Sequence, residues 1–152
     1  MLRAQQGGVA VAFVPLVMVA MNIVYAVSAY PFGKLSDRIS HKTLLAWGLV
    51  VLIAADLVLA RDDHWTTVLI GVGLWGLHMG MTQGLLATMV ADTAPPDLRG
   101  TAFGFFNLVS GISMLFASLI AGLLWDQWGA QFTFYIGAGL CVLALLGLLR
   151  KK

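Results

Sequence analysis

Apolar and polar positions alternate along this chain in long blocks. Apolar runs cover Val9–Pro31, Thr43–Ala60, Thr66–Val90, Thr101–Trp125 and Gln131–Leu149, with short polar stretches between them. A helix needs roughly 20 such residues to cross about 30 Å of hydrocarbon. Strands are excluded, because the runs are too long for a barrel strand and lack alternation of period two. The pattern predicts an all-α integral membrane protein: a single membrane domain over residues 1–152 with five transmembrane helices. The connections are too short to hold a soluble domain, so neighbouring spans should be antiparallel.

Composition supports this reading. Of 152 residues, 60% are hydrophobic and 11% charged, which leaves too little polar surface for a soluble domain. The net charge of +2 gives no sign of a nucleic-acid partner. The single cysteine, Cys141, lies in the last apolar run and cannot form an intrachain disulfide. In such surroundings a thiol stays protonated and inert.

The charges set a topology. Residues 33–42 are the densest charge cluster, with Lys34, Asp37, Arg38 and Lys42 between two spans. Placing this loop inside also places loop 92–100 and the C-terminus inside. The inner side then holds seven cations, Lys34, Arg38, Lys42, Arg99, Arg150, Lys151 and Lys152, against Arg3 and Arg61 outside. Such a bias fixes the C-terminus as cytoplasmic and the N-terminus as external. Trp47 and Tyr30 then flank the inner face, and Trp65, Trp125 and Trp128 the outer one. An external N-terminus without its own export signal points to a missing preceding helix. The rival, a cleaved signal peptide ending near Val27-Ser28-Ala29, has too long an apolar core and would put the basic loop outside.

Gly33, Asp37, Arg38 and Lys42 are spaced as in a loop motif that resembles one of the major facilitator superfamily (MFS), Gly-x-x-x-Asp-Arg-x-Gly-Arg-Arg/Lys, with Ser40 and His41 departing from it. Pro95/Pro96 followed by Arg99-Gly100-Thr101-Ala102-x-Gly104 is similar to the loop entering the fifth helix of a six-helix half. Gly122, Asp126 and Gly129 fit the outer turn between its last two helices. The resemblance implies helices eight to twelve of a twelve-helix transporter, lacking helix seven and the N-terminal half. It further implies alternating access by a permease of a bacterial inner (plasma) membrane, moving a small-molecule solute, with efflux and coupling to protons as one form. The bilayer and the missing half are the implied partners. The motif would contact the opposite half and hold one access state. For the residues themselves, Gly33 offers a sharp turn, and Asp37 a carboxylate for a helix N-terminus.

Polar groups deep in spans are functional candidates by default. Asn22, His78, Thr82 and Gln83 are the candidate substrate cavity, since transporters bind near the midplane. Interhelical hydrogen bonding is the plainer use of the same groups. Asn107, Ser110 and Ser113 share a side of the fourth span. Asp56, the only acid within an apolar run, lies about one turn from the outer end, where headgroups are in reach; a proton-coupling role is its alternative. Gly71-x-Gly73-x-x-Gly76 spells a dinucleotide fingerprint but lies mid-span without a preceding strand. Gly76, Gly80 and Gly84 read instead as a close-packing stripe, with Ser118 and Gly122 as its counterpart. No spacing calls for a metal, a cofactor or a nucleophile, so an enzyme is not expected. A non-transporting remnant, or a structural or interaction membrane protein, is the rival to the transporter.

Overall fold

A computed structural model describes residues 11–61 and 64–150 of the chain. The start of the first predicted span at Val9, Arg3, the acids Asp62 and Asp63 between the second and third predicted spans, and Lys151 and Lys152 fall outside the described residues. A 3-10 turn at Val11–Phe13 leads into α1, Val14–Ser36. It is followed by α2, His41–Arg61, α3, Trp65–Thr93, and α4, Arg99–Arg150.

The helices outrun the apolar runs that predict them. Helix α1 continues through Pro31 to Ser36, although proline removes the N–H that would bond the Val27 carbonyl. The reversal therefore falls at residues 37–40 and not at Gly33, which is helical with ordinary φ. The Arg38 and Ile39 N–H groups close α1 on the Leu35 carbonyl at 2.9 and 3.1 Å. The N-terminus of α2 is capped by Ser40, whose Oγ accepts the Thr43 N–H at 3.1 Å. That is the task the sequence offered to Asp37, which instead ends α1 as its exposed C-cap. Likewise α3 ends at Thr93, because Ala94 is extended (φ −85°, ψ 136°) ahead of Pro95. A 3-10 turn at Pro96–Leu98 then starts α4 at Arg99, so Arg99 and Gly100 belong to its first turn.

Among the described residues four helices, not five, are long and apolar enough to cross a membrane. The last holds both of the final two predicted spans. Its 52 residues would extend for about 78 Å if straight, more than twice the hydrocarbon thickness. It is not straight. Gly129 has φ 84° and ψ 176°, a conformation essentially reserved for glycine. Ala117 and Leu140 line one cavity, although a straight helix would hold them about 34 Å apart. The Trp125 and Phe134 rings meet edge to face at 6.3 Å. The chain thus folds back at Gly129 without leaving helical hydrogen bonding on either side, where the sequence predicts a turn over Asp126–Ala130.

Helix α3 lies between α1 and α2, and α2 in turn packs on α4. Val14 and Val17 meet Val68, while Ser28 meets Gly80, so α1 and α3 run parallel. Leu44 meets Met81 and Leu85, while Leu59 meets Gly71, so α2 is antiparallel to both. Glycines set these approaches. A methyl group at Gly76 would stand 2.5 Å from the Met21 carbonyl oxygen, and one at Gly71 2.5 Å from Leu59 Cγ. Gly84 and Gly122 have no such neighbour, so the packing stripe stops at Gly80, and Gly122 faces open space.

Candidate functional site

Two polar groupings lie within the bundle. The first joins α2 and α3 at Gly48. The absent side chain of Gly48 lets Thr82 approach until its Cγ2 stands 2.6 Å from where a Cβ would be. His78 Nδ1 lies 2.8 Å from the Gly48 carbonyl oxygen, and since a carbonyl only accepts, Nδ1 carries the proton. This fixes the tautomer and leaves Nε2 as the free acceptor. One turn on, the buried Thr82 hydroxyl donates to the His78 carbonyl at 2.9 Å. His78 and Thr82 therefore act as one unit on the α2 side of α3.

The other two predicted cavity residues stand elsewhere. Asn22 is exposed on α1 and donates its amide to the Met18 carbonyl at 2.8 Å. Gln83 is exposed on α3. The parallel register pairs Gly76 with Met21–Tyr25 and Gly80 with Ser28–Ala29. Gln83 is therefore level with about Pro31, roughly 13 Å along the axis from Asn22. His78 is the nearest of the three to the level of Asn22, yet it faces α2. Asn107, Ser110 and Ser113 do not gather into a further site: Asn107 and Ser113 are exposed, and the Ser113 hydroxyl donates to the Val109 carbonyl of its own helix at 2.8 Å.

The second grouping centres on Asp56. Its position near the outer end of α2 predicts a side chain reaching headgroups; instead it is only 5% exposed. Trp75 of α3 donates its indole N–H to Asp56 Oδ1 at 3.3 Å. From the far arm of α4, Gly137 approaches so closely that a Cβ there would lie 3.0 Å from Asp56 Oδ2. Three helices thus close on one carboxyl group. The signal was present in the sequence, a lone acid in an apolar run, but its burial depends on the fold-back at Gly129, which brings residues 133–140 against α2.

The loop residues form no comparable constellation. Gly33, Asp37, Arg38, Lys42, Arg99 and Gly100 are all exposed at the same end of the bundle. The antiparallel course of α2 and the parallel course of α3 bring both short connections there. Gly71, Gly73 and Gly76 serve helix packing or face open space, so the dinucleotide-like spacing has no phosphate cradle.

Comparison with known proteins bears on these features as a set. Residues 3–152 match the family profile described as Major Facilitator Superfamily. An uncharacterised MFS-type transporter of Methanocaldococcus jannaschii is 36% identical over 128 residues, 84% of this chain and 32% of that protein. The inner membrane transport protein YajR of Escherichia coli is 26% identical over 141 residues, 93% of this chain and 30% of that protein. Multidrug resistance protein 3 of Bacillus subtilis is 25% identical over 119 residues, 78% of this chain and 23% of that protein. The chain spans about a third or less of the length of these relatives. No solved structure matches. A profile match over nearly every residue, on four long apolar helices, identifies an integral membrane protein: the chain belongs to the major facilitator superfamily.

Proposed function

We propose that these residues form the last five membrane crossings of a secondary transporter that moves a small solute by alternating access, with both arms of α4 serving as spans. The observation that carries the reading is the family match across residues 3–152. The rest of such a transporter, helix seven and the N-terminal six-helix half, supplies the opposite wall of the central cavity. In this reading Asn22, His78, Thr82 and Gln83 belong to the central path at different depths. His78 and Thr82 hold the α2–α3 contact from behind it, and Asn22 and Gln83 lie on the exposed faces of α1 and α3. Gly33, Asp37, Arg38 and Lys42 face the cytoplasm, where the opposite half presents its own helix ends. The cation bias places the C-terminus inside and the N-terminus outside, in an inner (plasma) membrane. Proton-coupled efflux is the form we favour, because one relative is named for multidrug resistance.

The test is flux in proteoliposomes under an imposed proton gradient, across a panel of small organic solutes. The 152-residue polypeptide is compared with one extended by sequence encoding seven further spans. Saturable, gradient-driven flux by the extended protein alone is expected, since alternating access needs two halves rocking about one site. Flux by the short polypeptide would contradict this division of labour. No flux by either would favour the non-transporting membrane protein.

A further inference from the structure

Helix α3 meets α1 through a ladder of glycines, and the last rung stands open. Gly76 seats against Met21–Tyr25, and Gly80 against Ser28–Ala29. Each rung lies about four residues beyond the one before on both helices, so the next pairs Gly84 with Phe32–Gly33. These residues do border one another, but across a gap. A cavity of about 110 Å³ lies between Phe32, Gly33 and Ser36 of α1 and Gly84 and Leu85 of α3. Among the described residues no atom comes within 4 Å of a Cβ added at Gly33 or at Gly84. Glycine is the residue that lets two helix backbones approach most closely, and here one on each helix borders empty space. Pro31 stands between the closed second rung and the open third.

We propose that the last turn of α1, Phe32–Ser36, is a hinged arm that swings about Pro31 to seat Gly33 on Gly84, giving the loop at residues 37–40 two positions. Pro31 has no N–H for the Val27 carbonyl, so α1 lacks at that point a bond that would resist bending. The far end of the arm is tied to itself. The Ser36 hydroxyl donates to the Gly33 carbonyl at 2.6 Å, and the Arg38 and Ile39 N–H groups close on the Leu35 carbonyl. Arm and loop therefore move as one piece. The arm is roughly 7.5 Å long, and a swing of about 20°, the size of an ordinary proline kink, carries its end roughly 2.6 Å.

Two opposing terms keep both positions in reach. Phe32 and Leu35 pack against the cluster of Leu44, Met81 and Leu85, which holds the arm open. The gap meanwhile denies its lining the dispersion contacts that closure supplies. Lys34, Asp37 and Arg38 are exposed on the arm and the loop beyond it, so the charge cluster shifts with the swing. The packing of α1 on α3 and the position of this cluster are thereby linked: a partner that holds the loop also sets the third rung.

The experiment is fluorine NMR of the purified 152-residue chain in nanodiscs, with a trifluoromethyl probe on Lys34→Cys in a Cys141→Ala background. Two resonances are expected, one for each arm position. The same probe on Ile23→Cys, ahead of the hinge, should give one. Gly84→Leu fills the gap and should leave only the open resonance. Pro31→Ala restores the N–H for the Val27 carbonyl and should shift the ratio of the two signals toward the open one by at least about fivefold. Alanine is the better helix former, so this second variant keeps the test decisive if Gly84→Leu does not fold. A single resonance from Lys34→Cys in the parent, a spectrum that Gly84→Leu or Pro31→Ala leaves unchanged, or two resonances from Ile23→Cys would each overturn the proposal. None of these readouts depends on transport, so the hinge stands or falls separately from the transporter reading.

Discussion

Gly80 of α3 and Ser28 of α1 meet so closely that a methyl group on Gly80 would stand 2.9 Å from Ser28 Cβ and 3.3 Å from the Ala29 nitrogen. Ser28 is buried and donates its hydroxyl to the Tyr25 carbonyl at 3.0 Å, which ties the side chain to its own helix and keeps it from swinging away. The two parallel helices therefore approach as near as their backbones allow.

Replacing this glycine should be costly where replacing the next is not. Gly80→Ala overpacks the contact and should destabilise the bundle by about 1–3 kcal/mol. Gly84→Ala has open space and removes a flexible residue from a helix interior, so it should be neutral or stabilising by up to about 1 kcal/mol. Thermal unfolding of the two variants in detergent distinguishes them, and equal melting temperatures would contradict the contact.

Gly129 makes a second, independent prediction. Its φ of 84° with ψ near 180° strains any L-residue by about 1–3 kcal/mol. Gly129→Ala should loosen or straighten the bend, and spin labels at Gln127 and Phe132 should then move apart. An unchanged label distance would show that the fold-back does not depend on glycine.

At the α2–α3 contact, shape should outweigh hydrogen bonding. Thr82→Val keeps the methyl group seated on Gly48 and loses only a bond to its own helix, so about 0.6 kcal/mol or less is expected. His78→Ala loses a bond between helices together with the packed ring, and should cost about 1–3 kcal/mol. Gly48→Ala, which pushes Thr82 away, should cost at least as much. Chemical denaturation in mixed micelles orders the three, and a Thr82→Val loss larger than that of Gly48→Ala would contradict the account.

What the sequence makes legible follows from what each signal measures. Apolar runs report contact with hydrocarbon, so they locate the helices but not their ends. Ser36 and Thr93 continue helices into polar surroundings, because backbone hydrogen bonding does not depend on hydropathy. A four-residue glycine spacing marks a helix face, which is why Gly76 and Gly80 are legible as contacts. It does not say where a gap opens between the helices, and at Gly84 α3 shares a small cavity with Phe32, Gly33 and Ser36 of α1 where no atom comes within 4 Å of an added Cβ. Asp56 is conspicuous as a type, yet its burial arises from Trp75 and Gly137, residues 19 and 81 positions later. No local pattern encodes that encounter. The fold-back itself was legible as a boundary near Asp126–Ala130, but not as a single residue in an otherwise helical segment.

The measurement that bears most directly on the account is the sidedness of α4. In a Cys141→Ala background, single cysteines are placed at Ser36, Gln127 and Arg150 and probed in intact cells with a membrane-impermeant maleimide. If α4 crosses twice about Gly129, Gln127→Cys labels from outside, while Ser36→Cys and Arg150→Cys label only after the membrane is opened. A single crossing would leave Gln127→Cys and Arg150→Cys on the same side. Labelling of both from outside in intact cells would contradict the five-crossing arrangement and the transporter reading built on it.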